Sequence, residues 1–252
     1  MDSLTYVGHG TVELRLGESS ILTDPFLRNW LGPLHRQGPA PDPAIPGRAD
    51  LVLISHLHRD HMDVRSLGRI SPDTPVVVPR GATKWPRKAG ARDMRELDVG
   101  EKISFGGIEV TAVTARHNGY RDDHRGEPIQ PLGYVIEADG MKTYFAGDTD
   151  LYEGMAELGP LDLALLPIWG WGPYVGSGHL NPASAAQALE LIRPRLAVPI
   201  HWGTFYPAGL RWLRPQYLVE PPLQFAQRTS ERVPEVQVEI VQPGASLSPD
   251  RI

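Results

Sequence analysis

The apolar run Leu51-Val52-Leu53-Ile54 passes directly into Ser55-His56-Leu57-His58-Arg59-Asp60-His61-Met62-Asp63. A short continuous apolar run of this kind reads as a strand buried on both faces. Polar ligands at the end of such a strand are what α/β proteins use to build their sites. Four strong metal ligands, His56, His58, Asp60 and His61, fall within six residues. His56 and His58 are two apart in an extended segment, so they point the same way and can hold one metal through imidazole nitrogens. Asp60 and His61 follow on a turn and can face a second metal beside the first. The competing reading is a solvated loop that contains three histidines. The chain has only nine histidines in 252 residues, and clustering with Asp straight after a buried strand favours the metal reading.

That reading requires ligand-type residues at other strand ends. His117 follows the candidate strand Ile108–Ala115. Asp148, in Ala146-Gly147-Asp148-Thr149, follows Lys142–Ala146. His201, in Pro199-Ile200-His201-Trp202-Gly203, follows Leu196–Ile200. Seven candidate ligands thus come from four strand ends, enough for a dinuclear site with one bridging carboxylate.

The remaining pattern is strand-dominated. Leu4–Val7, Thr11–Leu16 and Ser20–Thr23 are short strands separated by Gly8–Gly10 and Gly17. Gly32 to Gly47 is rich in Pro and Gly and reads as a loop without a packed element. Val76–Val78 is another buried strand. Lys102–Phe105, Ile108–Ala115, Gly133–Ala138 and Lys142–Ala146 form an antiparallel meander with turns at Gly106-Gly107 and Asp139-Gly140. Leu161–Leu166 is buried, Gly170 to Gly178 is a Gly-rich loop, and a helix runs from Pro182 to about Ile192. Asn181 is its N-cap, and Pro182 fills the first helical position. Val236–Val241 is a late strand. No linker or repeat interrupts the chain, so residues 1–252 read as one α/β domain, two sheets face to face with helices outside.

Composition narrows the chemistry. The chain has no cysteine, which excludes disulfides, thiolate zinc sites and cysteine nucleophiles. The net charge is -5 and the pI is about 6.0, against bulk electrostatic binding of nucleic acid. No stretch reaches the ~18 apolar residues of a membrane span, and Met1-Asp2-Ser3-Leu4 does not begin a signal peptide. The expectation is a cytoplasmic protein.

The H-x-H-x-D-H run of His56–His61, with His117, Gly147-Asp148-Thr149 and His201, resembles the metallo-β-lactamase superfamily. Val7-Gly8-His9-Gly10-Thr11, Leu22-Thr23-Asp24-Pro25, Gly178-His179-Leu180-Asn181-Pro182 and Ile200-His201-Trp202-Gly203-Thr204-Phe205 resemble its branch of N-acyl-phosphatidylethanolamine phospholipase D and the ascorbate-6-phosphate lactonases. The resemblance implies a four-layer αβ/βα sandwich with the site between the tops of two sheets. It implies that His56, His58 and His117 hold one ion, that Asp60, His61 and His201 hold the other, and that Asp148 bridges them. Asp24 would fix a ligand imidazole from behind, and His9 and His179 would lie near the site. The branch often carries Asn and Tyr where this chain has Leu57 and Arg59; neither is a ligand, but an Arg there can change what the pocket accepts.

An all-nitrogen-and-oxygen set suits zinc, with manganese or iron as alternatives. Two ions roughly 3.5–4 Å apart can bridge a hydroxide and clamp the scissile group. Asp60 would orient the nucleophile, and His179 would give a proton to the leaving group or bind the oxyanion. For His179 the alternative is a structural cap of its loop; for His9 it is a turn between two strands. His35 is expected to be solvated. Arg121, His124 and Arg125 could bind a substrate phosphate or carboxylate, or form a solvated charged loop. Trp169, Trp171 and Tyr174 could line the pocket mouth or pack the loop. Leu210–Arg214 reads as surface or oligomer contact.

The expected function is a dinuclear hydrolase of a small phosphodiester or phosphorylated metabolite. A lactonase or cyclic-ester hydrolase is the close alternative. A superfamily nuclease and a non-catalytic metal sensor are less favoured than both.

Overall fold

The computed structural model describes residues 1–121 and 127–248. The first half of the chain carries β1 (Ser3–Gly8), β2 (Thr11–Leu16), β3 (Ser19–Thr23), β4 (Trp30–Leu31), β5 (Leu34–Arg36), β6 (Leu51–Leu53), β7 (Val76–Pro79) and β8 (Met94–Leu97). The second half carries β9 (Lys102–Phe105), β10 (Ile108–Thr114), β11 (Leu132–Ala138), β12 (Met141–Phe145), β13 (Leu163–Pro167), β14 (Leu196–Ile200), β15 (Phe205–Pro207), β16 (Gln237–Val238) and β17 (Ala245–Leu247). The helices are α1 (Ile45–Arg48), α2 (Val64–Leu67), α3 (Lys84–Ala89), α4 (Pro182–Ile192) and α5 (Gln216–Arg232).

Two mixed sheets result. One has the order β17-β1-β2-β3-β6-β7-β8 and the other β16-β14-β13-β12-β11-β10-β9. Each changes from antiparallel to parallel pairing partway across, at β3 in the first sheet and at β12 in the second. Side chains alternate across each strand, so β6 serves two cores. Leu51 and Leu53 join the core between the sheets, with Tyr6, Leu14, Tyr134 and Leu165. Val52 and Ile54 face the other way, toward Leu67 and Trp85 beside α2 and α3. On the far side, Leu189 of α4 and Phe225 of α5 cover the second sheet. This is the expected αβ/βα sandwich.

The helix Pro182–Ile192 begins where its cap predicted. Asn181 Oδ1 accepts from the backbone N–H groups of Ala183 and Ser184, and Ser184 Oγ accepts from Asn181 N–H. Asn181→Ala is expected to cost about 1 kcal/mol of stability, read as a lower urea midpoint; an unchanged midpoint would rule out a stabilising cap.

Three expectations need correction. The stretch from Gly32 to Gly47 is not without packed elements: β5 and α1 lie in it, and β15 pairs with β5. Leu34 joins Phe26 and Phe205 in a small third core, and three strand residues are too few to show against the Pro and Gly around them. His35 is half-buried rather than solvated, edge-on to Trp30 at 4.4 Å. Of Val236–Val241, only Gln237 and Val238 pair as a strand. Helix α5 was missed because Pro221 and Pro222 lie inside it. Proline removes helical hydrogen bonds, but both prolines are buried and the helix packs along α4.

Candidate metal centre

Beyond Leu53 the chain leaves the sheet and tightens. The backbone N–H groups of His61 and Met62 both donate to the carbonyl of His58, which turns His58 and His61 toward one place. Asp63 ends the turn by capping α2. Arg121 clamps the turn from outside: its Nη1 donates to the carbonyls of Leu57 and Met62, and its guanidinium lies 4.2 Å from the Trp85 ring centroid. Three site residues take left-handed backbone, His9 (φ 59), Asp24 (φ 34) and His201 (φ 63). Such strain at a non-glycine residue persists only where the surroundings over-determine it. Gly147 (φ 59) precedes Asp148 because a Cβ there would lie 2.5 Å from the Ser55 Cβ.

Hydrogen bonds fix which nitrogen of each imidazole is available. A carbonyl or carboxylate only accepts, so an imidazole nitrogen bound to one must carry a proton. His61 Nδ1 donates to Asp24 Oδ2 at 2.6 Å, His201 Nδ1 to the Trp169 carbonyl at 2.7 Å, and His117 Nδ1 to the Gly178 carbonyl at 2.8 Å. Ser55 Oγ donates to Asp24 Oδ2 and accepts from His56 Nδ1 at 2.9 Å. Each ring is therefore held by Nδ1, with Nε2 turned inward.

The inward nitrogens converge. His61 Nε2 and His201 Nε2 are 3.2 Å apart, and His117 Nε2 is 3.0 Å from His58 Nδ1. His56 Nε2 is buried with no hydrogen-bond partner, as is Asp148 Oδ1. Asp148 stands between the groups. Its Oδ2 is 3.2 Å from His61 Nε2, 3.5 Å from His179 Nε2 and 4.0 Å from His56 Nε2, and its Oδ1 is 3.4 Å from His201 Nε2. Buried acceptors facing one another at such distances suit a cation, which accepts lone pairs from all of them. The donor set therefore fits divalent metal.

The ligand atoms fall into sets that could each hold an ion. One is His56, His58 and His117; another is His9, Asp60, His61 and His201. The seven residues expected from the strand ends thus come together, and His9 joins them. Sequence left His9 open between site and turn. It is buried, its Nε2 is 2.8 Å from Asp60 Oδ2, and its ring lies 3.8 Å from that of His201. Thr204 was not anticipated: its Oγ1 accepts from the His9 backbone N–H.

Charge follows this geometry. Burial, reinforced by neighbouring imidazoles, holds His56 far below the usual histidine range. Burial likewise lowers His58 to about 4 and His201 to about 3. These rings are neutral, the form that ligates metal. At His61 burial acts the same way, but Asp148 and Asp24 outweigh it and raise the ring well above 6.5. Asp148 is held far below the carboxylate range, because His201 and His61 outweigh its burial. Before metal arrives, His61 therefore carries a proton. Loading the metal-free protein with zinc at neutral pH is expected to release protons, that of His61 among them, and affinity should rise with pH until His61 loses that proton unaided. A pH indicator in weak buffer reads this directly; zero release would mean that His61 is neutral beforehand.

A cavity of about 480 Å³ opens on this cluster, lined by His58, Asp60, Asp148, His179, Trp169 and Trp171 among others. Tyr174 lies on its rim, largely exposed. Arg121 also lines it, although its Nη1 is committed to the turn. His124 and Arg125 lie outside the described residues.

Two facing mixed sheets with a His and Asp cluster at their strand ends define a metallohydrolase of the metallo-β-lactamase fold. The family model described as the beta-lactamase superfamily domain matches residues 19–202, and the chain belongs to that superfamily and to its metal-dependent hydrolases. A UPF0173 metal-dependent hydrolase of Methanopyrus kandleri is 32% identical over 251 residues, covering 96% of this chain and 98% of the relative. The N-acyl-phosphatidylethanolamine-hydrolyzing phospholipase D 1 of Caenorhabditis elegans is 31% identical over 245 residues, 86% of this chain and 67% of that protein. Among solved structures, a novel metallo hydrolase from the archaeon Ignicoccus hospitalis superposes with a TM-score of 0.74 at 26% identity, covering 98% of this chain and 97% of that one. Among the described residues, no helix is long and apolar enough to cross a membrane.

Proposed function

We propose that the chain hydrolyses a small phosphodiester or phosphorylated metabolite in the cytoplasm, using two divalent ions. The carrying observation is the set of imidazoles held by Nδ1 and converging through Nε2 on Asp148. Likeness to a phospholipase D supports the diester as the scissile group. His56, His58 and His117 would hold one ion and Asp60, His61 and His201 the other, with Asp148 facing both. Zinc, manganese and iron all suit this donor set. Bound there, such ions would polarise the phosphoryl oxygens and lower the pKa of water toward about 7.

The chain's own groups complete the chemistry. Asp60 lines the cavity and is held through Oδ2 by His9 Nε2, so it can accept a hydrogen bond from the attacking water and fix its direction. His179 lines the cavity; its Nδ1 lies 3.3 Å from the Gly176 carbonyl, which leaves Nε2, 3.5 Å from Asp148 Oδ2, as the exchanging atom. Burial lowers His179, but Asp148 beside it outweighs that and raises it above the usual histidine value. Its Nε2 can carry the proton that the departing alkoxide takes.

The test is a rate comparison on metal-free protein reloaded with zinc or manganese, using a generic phosphodiester and a simple lactone. Metal-dependent turnover of the diester above the lactone is expected. His179→Gln should keep its metal and lose about 10²–10⁴-fold in rate. Faster lactone turnover would move the protein to the lactonase class.

A further inference from the structure

The cavity at the metal cluster continues into a second, larger one of about 860 Å³; Arg59, Asp60, Arg121 and Trp171 line both. The remaining walls of the second cavity come from segments far apart in sequence. Arg28 follows β3, Leu31 to Leu34 form the β4–β5 hairpin, Val64 and Arg65 belong to α2, and Trp85 and Lys88 to α3.

Its charge runs against that of the whole protein. Five basic side chains line it, Arg28, Arg59, Arg65, Lys88 and Arg121, against the two acidic ones, Asp60 and Asp63, among the described residues. The chain as a whole is at -5. Both carboxylates are already engaged. Asp60 Oδ2 binds His9, while Asp63 takes the guanidinium fork of Arg28 and the hydroxyl of Ser66. Arg65 and Lys88 are exposed and make no ion pair among the described residues. Isolated surface charges are screened by water, but several of one sign converging on a concave wall focus the field there. Trp85, Trp171, Leu31 and Leu34 add apolar surface to the same space. Arg59, which lines both cavities, stands in sequence between His58 and Asp60 of the two ligand sets.

We propose that the second cavity binds a non-reacting oxyanion, a phosphate or carboxylate, at the far end of the substrate, and that Arg65 and Lys88 are the residues that select it. The inference rests on reading the adjoining cluster as the hydrolytic centre. It narrows the substrate to a molecule with two anionic ends joined by a partly apolar spacer. Guanidinium groups are suited to either oxyanion, since their forked donors match both.

The test uses three diesters with a para-nitrophenyl leaving group: para-nitrophenyl propyl phosphate, and analogues whose propyl chain ends in a carboxylate or a phosphonate. The loaded protein is expected to favour at least one charged tail over plain propyl by about tenfold in kcat/KM, the worth of one charge-assisted contact. The ratio between the two tails tells carboxylate from phosphate. The double variant Arg65→Ala with Lys88→Ala should erase the preference. Turnover of the propyl diester with no preference for either tail, or a preference that survives in the variant, overturns the inference and leaves the phosphodiesterase reading standing. Failure to turn over any of the three overturns that reading alone. The second cavity is then read by calorimetry on the metal-free protein with propane bisphosphonate. Binding that weakens about tenfold in the variant supports the inference; equal binding by both proteins, or none by either, overturns it.

Discussion

Replacing Asp148 with alanine is expected to strip the protein of metal and lower its hydrolytic rate about a thousandfold or more. Asp148 is the carboxylate that faces both ligand sets, within 3.2 to 4.0 Å of His61, His201, His179 and His56. Transition-state stabilisation by bound metal is worth several kcal/mol, and each 1.36 kcal/mol is about tenfold in rate. The side chain is almost wholly buried, so the variant also leaves the His61 imidazolium with one counter-charge fewer. Metal content by atomic emission and the rate on a phosphodiester are the two readouts. A full metal complement at unchanged rate would show that Asp148 is not a ligand.

Asp24→Asn is expected to be nearly as severe, through a residue that would touch neither metal nor substrate. Asp24 is fully buried. Its Oδ1 accepts from Ser55 N–H at 2.7 Å, and its Oδ2 from Ser55 Oγ at 2.5 Å and His61 Nδ1 at 2.6 Å. An amide in either orientation sets an NH₂ against at least one of these donors. Leaving buried polar groups unpaired costs about 1–3 kcal/mol each. The loss propagates, because Ser55 Oγ fixes the tautomer of His56 and Asp24 fixes that of His61. Metal affinity should fall about 10–100-fold, the usual cost of losing a residue that orients a ligand. Denaturant melts of the metal-free variant and a metal titration test the two halves separately; wild-type values in both would refute the relay.

The strand ends made much of this site legible. Leu51–Ile54 and Leu196–Ile200 are apolar runs that give way within two residues to a ligand, and the strand Lys142–Ala146 is followed two residues on by Asp148; a run that stops so abruptly leaves its sheet there. What stayed hidden depends on long-range geometry. His9 looks like a turn residue in Gly8-His9-Gly10. It enters the site because its carbonyl accepts from His201 N–H, 192 residues away, and its backbone is forced left-handed. Arg121 sits in a charge run that reads as substrate-binding or solvent-facing. Its binding of the Leu57 and Met62 carbonyls depends on how the loop folds back, and spacing carries no trace of that. Helix α5 was concealed because burial against α4 overrides the local preference of Pro221 and Pro222.

The cluster draws on both sheets. His9, Asp24 and the His56–His61 turn follow strands of the first; His117, Asp148 and His201 follow strands of the second. A cation bound there is a linked ligand of the folded state, because the unfolded chain cannot present the same array. By mass action, each tenfold rise in free metal above the dissociation constant adds about 1.4 kcal/mol to unfolding. The melting temperature of this protein is then no fixed property of the polypeptide. It rises and falls with the metal concentration around it, so the chain reports on its own supply of cofactor.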